Sequence, residues 1–306
     1  MSDIKRALML PTRGVRSWIE LRKMCHSKDT TYFLCSRGIG DTVLFCTLLS
    51  EYRKKISNKR IALIVSDRHA DIVKYFDEFY DELILVNKRT IDRLNYNQLG
   101  RFYYKAHNFH YILPIMGISA LGYREINLLD LFKIELGINP DVKPMIPMFE
   151  SRDSNNDVVK IIKNFIETNN IVRGKSVILA PYSYSIKRTS LRFWNQLVEK
   201  LNCEGYTVIT NIQKGEEPLP NTIAYDGRLN EICELAQYCG CVVSNRSGLC
   251  DLMALLKIKL FVVYPDGQSL ARFTFKEMGL KADIKEYLFD NLKVEQLIHE
   301  IVIHKE

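Results

Sequence analysis

The chain has 306 residues, 47% apolar and 26% charged, which suits two globular domains with real cores and excludes a disordered or fibrous protein. Its 43 basic and 36 acidic residues give a formal charge of +7, favouring anionic partners such as nucleotides, phosphorylated substrates and lipid surfaces without the clustered basic run of a dedicated nucleic-acid binder. No signal peptide or membrane span is read, so a cytoplasmic protein is expected; the eight cysteines lie mostly in apolar segments without zinc spacing and read as reduced thiols.

In chain order, residues 12–25 are expected to form a helix ahead of the first strand. Strands are then expected at 32–35, 61–65, 83–86 and 111–113, alternating with helices at 42–55, 70–76, 91–101 and 121–136. A βα alternation of this kind implies a parallel sheet covered by helices, because parallel neighbours need crossovers and their strands are apolar on both faces. The pattern breaks at Pro140, Pro144, Pro147 and the polar run Glu150-Ser151-Arg152-Asp153-Ser154-Asn155-Asn156. We therefore place a domain boundary near residue 150, with domains at 1–150 and 151–306.

The alternation resumes with a helix at 158–168, a strand at 176–180, a helix at 191–201 and a strand at 207–210. It continues with a helix at 230–238, a strand at 241–244, a helix at 248–256 and a strand at 259–264. The expected fold is α/β, with two doubly wound Rossmann-like domains facing across a cleft. An amphipathic helix at 292–303 could pack on either domain, including back on the first.

Two strand–turn–helix junctions carry the chemistry. In Val242-Val243-Ser244-Asn245-Arg246-Ser247-Gly248-Leu249-Cys250-Asp251, an apolar strand enters a small-residue turn and a helix, the form of a phosphate seat. Arg246 adds a fork of donors there; the plainer reading is a turn capped by Ser247 with Arg246 on the surface. The second junction is Tyr32-Phe33-Leu34-Cys35-Ser36-Arg37-Gly38-Ile39-Gly40-Asp41, where Gly38 and Gly40 are read as permitting a tight reversal and Asp41 as helix cap and first-turn acid. As a dinucleotide signature it fails, because position 43 is Val43 rather than glycine, which disfavours a nicotinamide dehydrogenase.

With these junctions the sequence resembles the two-domain GT-B glycosyltransferases, and within them the heptosyltransferase-type family (glycosyltransferase family 9 type) that builds lipopolysaccharide and related bacterial surface glycans. In that family a glycine turn ending in Gly-Asp opens the first helix and the Asp is the proposed base, which the resemblance carries to Gly40-Asp41. The family's second domain opens on an apolar strand ending in a small residue, a polar loop with a Lys, and an aromatic. Here Val177-Ile178-Leu179-Ala180-Pro181 is followed by Ser183, Ser185, Lys187, Arg188 and Phe193-Trp194, so Lys187 is implied to hold donor phosphate. The family pattern Asn-Asp-Ser/Thr-Gly and then His-Leu-x-Ala is kept at Asn245, Ser247, Gly248, Leu252 and Ala254, with Arg246 in place of the acid and Asp251 in place of the His. Arg246 beside donor phosphates is also similar to fucosyltransferase-type GT-B enzymes, and the family's ADP-heptose donor is not carried over.

The function this implies is transfer of a sugar from a nucleotide-sugar donor to a growing bacterial surface glycan, such as lipopolysaccharide or capsule, with inversion. Asp41 would be the base; Lys187, Arg188, Arg246 and the helix start at Ser247 and Gly248 would hold the leaving diphosphate. Donor contacts are assigned to Pro181, Ser183, Ser185, Lys187, Arg188, Asn245, Arg246, Ser247, Gly248 and Asp251, and turn or acceptor contacts to Arg37, Gly38 and Gly40. No cofactor and no metal are expected, since fixed cations can do the work and the chain has no Asp-x-Asp. The partners are the donor and a glycan or lipid-linked acceptor, with no nucleic acid. Peripheral contact with the inner membrane face, through Arg101-Phe102-Tyr103-Tyr104-Lys105, stands against a plainer reading of that stretch as helix end and core.

Each residue also has a structural reading. Asp41 could be only a cap, Lys187 and Arg188 a solvated loop, and Arg246 and Asp251 a pair at the helix start. Glu216-Glu217 occupies a loop where ribose-binding carboxylates often fall, and His69, His107 and His110 are further candidates for base or acceptor contact. The alternative functions are a sugar-nucleotide epimerase of the same architecture and a non-catalytic nucleotide-sugar-binding partner. The nucleotide, the sugar, the acceptor and the oligomeric state stay open.

Overall fold

The computed structural model describes residues 16, 19–35, 38–56, 59–95, 109–111, 127–149, 157–183, 186–213 and 215–302. Two compact units form: Met1–Tyr123 with Leu128–Met145, and Arg124–Asn127 with Ile146–Glu306. Among the described residues no helix is long and apolar enough to cross a membrane. The expected linker at 150–156 lies outside the described residues.

In the first unit β1 (Thr30–Leu34), β2 (Arg60–Ser66), β3 (Glu82–Val86) and β4 (Phe109–Tyr111) form one parallel sheet in the order β3-β2-β1-β4. The register sets Phe33 opposite Leu63 and His110. All five residues of β1 are buried, as a central parallel strand requires. Residues 19–24 form a helical segment that lays Leu21 and Cys25 into a core with Tyr32, Leu34, Ile64, Ile91 and Leu94.

The helix expected at 42–55 is two helices, Ile39–Cys46 and Leu49–Lys55. The break is local: the Thr47 hydroxyl donates to the Leu44 carbonyl at 2.6 Å, and Leu48 N–H bonds three residues back to Phe45. The helix expected at 70–76 is reduced to Ala70–Val73 between two 3-10 turns, Asp67–His69 and Lys74–Phe79. Helices at 91–101 and 121–136 become Lys88–Asn95 and Leu128–Leu136, the remainder of each lying outside the described residues.

The second unit holds β5 (Ser176–Ala180), β6 (Thr207–Asn211), β7 (Ile223–Tyr225), β8 (Cys241–Asn245), β9 (Lys259–Tyr264) and β10 (Asp283–Leu288). All pair in parallel, in the order β10-β9-β8-β5-β6-β7. The chain thus runs outward from β5 through β6 and β7, then returns to β8 on the other side of β5 and runs outward again. This is the mononucleotide-fold order of a doubly wound sheet, and its direction reverses between β5 and β8. In the first unit the same reversal falls between β1 and β4.

Helix Leu191–Cys203 and helix Val294–Val302 pack together on the second sheet. Trp194, Leu197, Leu201, Val294, Leu297 and Ile301 share a core with Val177, Leu179, Val243, Phe261 and Val263. The C-terminal helix therefore belongs to the second unit's core. Its three buried apolar residues are each worth about 1.5–3 kcal/mol of burial. At the far end of helix Leu229–Cys239, Gly240 takes φ +78, a left-handed cap that lets the chain enter β8 directly.

Candidate functional site

Open parallel sheets bind ligands beyond the carboxyl ends of their strands, at the point where strand order reverses. Each unit places one sequence-derived junction there, after β1 in the first and after β8 in the second.

In the first unit Ser36 and Arg37 lie outside the described residues. The turn itself differs from expectation. Gly38 is the N-cap with φ −84 and ψ 133, extended backbone open to any residue, and Gly40 is a buried residue inside helix Ile39–Cys46. Neither glycine supplies a left-handed turn. Asp41 is not the cap; it is the third residue of the helix, half-buried, with its carboxylate in the first turn where the unpaired N–H groups favour negative charge. Thr42 anchors the start by donating its hydroxyl to the Gly38 carbonyl at 3.1 Å.

At the end of β2, beside β1, His69 is 7% exposed and its Nδ1 is buried with no hydrogen-bond partner. Burial pushes its pKa down to about 4, with the Arg68 charge acting in the same direction, so the imidazole is neutral near pH 7. The following helix, Ala70–Val73, packs against helix Ile39–Cys46. His107 and the side chain of His110 lie outside the described residues, as does Arg101–Lys105.

In the second unit the loop after β5 is stapled to the end of β8. Asn245 is fully buried; its amide nitrogen donates to the Pro181 carbonyl while its oxygen accepts the Thr189 hydroxyl at 2.7 Å. Thr189 in turn accepts from the Trp194 indole at 2.8 Å, tying the loop to the core beneath. The Ser183 hydroxyl donates to the Arg246 carbonyl at 3.1 Å. Ser185 lies outside the described residues.

Arg188 donates to the Ser183 carbonyl at 3.1 Å and to Glu216 at 3.3 Å, and lies over the Tyr182 ring. The Glu216 side chain is 6% exposed and also accepts Gln213 N–H at 2.9 Å, so it anchors the loop. Lys187 is exposed at the same edge. The Ser269 N–H holds the Asp266 carboxyl below its ordinary value, and the charge of Lys187 adds to that effect, so Lys187 lies within electrostatic reach of the loop after β9.

Arg246 forms the pair with Asp251 that is one of its structural readings, and the other, a surface fork, is corrected. It is neither a surface fork nor a presented phosphate clamp, because both it and Asp251 have side chains 5% exposed and bond face to face at 2.8 and 2.6 Å. The guanidinium also donates to the Phe273 carbonyl at 2.9 Å and the Ser247 carbonyl at 2.6 Å, and stacks near Phe273 and Phe275. Burial works against its charge, yet the Asp251 carboxylate outweighs burial and the Arg246 pKa lies above the ordinary value. Burial raises the Asp251 carboxyl while Arg246 opposes the rise. The pair therefore holds the turn from beneath, leaving Ser247 and Gly248 half-buried at its outer side. Ser247 is the N-cap of helix Gly248–Met253, but its side chain does not cap it.

Sequence reasoning missed Thr189, Asp266 and the Tyr264–Glu286 pair that secures the segment after helix Gly267–Phe273. Glu286 accepts from Phe275 N–H at 3.1 Å and the Thr274 hydroxyl at 2.8 Å. A signal existed for Asp266: Tyr-Pro-Asp-Gly ends an apolar strand, and its carboxylate caps the next helix by accepting Ser269 N–H at 2.7 Å. Seven of the eight cysteines are buried and all are unpaired thiols; Cys203 is the exposed one.

No protein-family model matches the chain, and no curated protein matches it. Solved structures do. A glycosyl transferase family 9 protein from Veillonella parvula aligns over 91% of this chain and 92% of its own, with TM-score 0.59 at 13% identity. The Escherichia coli ADP-heptose lipopolysaccharide heptosyltransferase II aligns over 89% and 97%, with TM-score 0.60 at 15% identity. The chain has the GT-B fold. The E. coli heptosyltransferase WaaC, solved with ADP, aligns over 89% of this chain and all of its own, with TM-score 0.54 at 14% identity. At such identities the likeness is one of fold, and it assigns the α/β units of this chain to the same architecture.

Proposed function

We propose that the protein is a glycosyltransferase that uses a nucleotide-sugar donor and a glycan acceptor of a bacterial surface polymer. The observation that carries the reading is the stapled edge after β5 and β8, where Asn245, Thr189 and Ser183 hold two loops at the reversal point of a mononucleotide fold. That edge is the donor site. Its fold is shared with a heptosyltransferase solved with ADP, which supports a nucleoside diphosphate as the leaving group.

In the proposed step the Asp41 carboxylate takes the proton of the acceptor hydroxyl as its oxygen attacks the anomeric carbon. The bond from that carbon to the donor phosphate oxygen breaks, the configuration inverts, and the nucleoside diphosphate leaves. Lys187, the Ser247 hydroxyl and backbone N–H groups at Ser247 and Gly248 stabilise the developing phosphate charge, while the Ser183 hydroxyl stays in its bond to the Arg246 carbonyl, and no divalent cation is needed. Arg246 and Asp251 act behind this surface by fixing the turn, and Arg188 by holding the Ser183 loop against Glu216. The protein works in the cytoplasm, at or near the inner membrane face where a lipid-linked acceptor is presented.

The test joins binding to turnover. A thermal-shift panel of UDP-, GDP-, ADP-, CDP- and CMP-linked sugars finds the donor, since a ligand bound only by the folded form raises apparent stability. With that donor and an acceptor, Asp41→Asn is expected to retain the shift and lose transfer.

A further inference from the structure

The two sheets are finished differently at their edges. In the second unit β7 has three residues and β10 carries Asp283, Lys285 and Glu286, the short or charged edges that keep a sheet from adding strands. β3, at one end of the first sheet, has neither device. Its Glu82-Leu83-Ile84-Leu85-Val86 sets four apolar side chains in a row with no Pro and no Lys, and among the described residues it pairs only with β2. Ile84 and Val86 pack on the core that holds Leu21, Ile64 and Ile91, so Leu83 and Leu85 lie on the opposite face of the strand, where Leu85 is 47% exposed. Every second residue of β3 turns its N–H and C=O away from β2.

We infer that β3 pairs with β3 of a second copy of this chain, antiparallel about a two-fold axis at Ile84, and the inference stands apart from the transfer reading. The strand reads nearly the same in both directions about that residue. Turned on itself, Leu83 meets the partner's Leu85 and Ile84 meets the partner's Ile84, while Glu82 meets the partner's Val86, so no like charges are opposed. The register also sets each residue whose amide faces outward against another of the same kind, because 83 pairs with 85 and 82 with 86, as antiparallel bonding requires. Such a self-complementary contact closes at two copies and leaves the edge covered. Five residues a side make a small interface, so the association is weak, with Kd about 1–100 µM.

The test is sedimentation velocity of the full chain over concentrations that span this Kd, where a reversible monomer–dimer equilibrium is expected. Leu85→Lys puts a charge on the exposed face of the strand and is expected to weaken the dimer at least about ten-fold. Ile134→Lys makes the same kind of change at an exposed apolar position elsewhere in the first unit and is expected to dimerise as the wild type does. Leu83→Glu is expected to weaken the dimer when alone. An equal mixture of Leu83→Glu and Leu85→Lys is expected to associate about five-fold more tightly than either alone, because the opposite charges meet only in this register. Circular dichroism and melting confirm that the variants fold. Hydrogen exchange of the wild type below and above the Kd fixes the place without any variant: amides within 82–86 are expected to slow as the dimer forms. A chain that stays monomeric, a dimer that Leu85→Lys leaves intact, no gain on mixing two folded variants, or protection that appears elsewhere and not at 82–86 overturns the inference.

Discussion

Replacing Asp251 by alanine leaves the Arg246 guanidinium buried with half its hydrogen bonds gone. The wild-type pair is bidentate at 2.6 and 2.8 Å with both side chains 5% exposed, so water cannot take over the lost contacts. Two charge-assisted hydrogen bonds at roughly 1.5–3 kcal/mol each, together with the cost of an uncompensated buried charge, give a loss of about 3–5 kcal/mol. For a unit of this size that lowers the melting temperature by about 10 °C. Removing both partners, as Arg246→Met/Asp251→Leu, abolishes the buried charge. The Phe273 carbonyl keeps the Tyr264 hydroxyl as donor at 2.8 Å and the Ser247 carbonyl keeps the Cys250 N–H at 3.0 Å, so the double variant is expected to recover more than half the loss. Urea unfolding of wild type, Arg246→Met, Asp251→Leu and Arg246→Met/Asp251→Leu measures this directly, and the single losses should sum to well over the double one. An Asp251→Ala protein that melts within about 2 °C of wild type would refute the reasoning, because Arg246 would then be reaching solvent or ligand instead.

Two further outcomes test other parts of the fold. His69 has its folded-state pKa lowered to about 4 against an ordinary 6.5, so its unfolded form binds the extra proton first; the stability it contributes is present above pH 6.5 and is lost as pH falls towards 4. Relative to His69→Asn, the wild type should lose about 2 kcal/mol between pH 7 and pH 5, and parallel pH dependence in the two proteins would contradict the buried neutral imidazole. At Gly227 an added Cβ collides with the Tyr225 hydroxyl and the Glu231 carboxylate, both buried and bonded to each other at 3.4 Å. Gly227→Ala should cost about 1–3 kcal/mol, part of it restored by Tyr225→Phe, and a neutral Gly227→Ala in urea unfolding would show that the cluster yields freely.

The centre of each sheet was legible in the sequence, and its edges were not. β5 and β9 are buried on both faces and read as unbroken apolar runs, so their expected and observed limits agree. β7 has only Ile-Ala-Tyr, and β10, Asp-Ile-Lys-Glu-Tyr-Leu, alternates polar residues at an edge; both were missed, with the short helix Gly267–Phe273 between β9 and β10. The two junctions could be located because small residues punctuate apolar strands. The Arg246–Asp251 pair is among the readings the sequence offers, and it forms; its burial was not legible, since that depends on the shape of the turn and on Phe273 and Phe275 packing over it. Asp41 reads in sequence as both cap and first-turn acid, because the two positions lie a few residues apart and look alike; the backbone gives it the first-turn role and assigns the cap to Gly38.

Glycosyl transfer from a nucleotide sugar is the central claim, and it is tested most directly by following transfer and donor binding together in wild type and Asp41→Asn. Loss of the base should lower turnover by about 10²–10⁴-fold while the melting shift with donor stays within a degree of wild type. Undiminished transfer by Asp41→Asn, or consumption of the donor by wild type with no acceptor present, would contradict it.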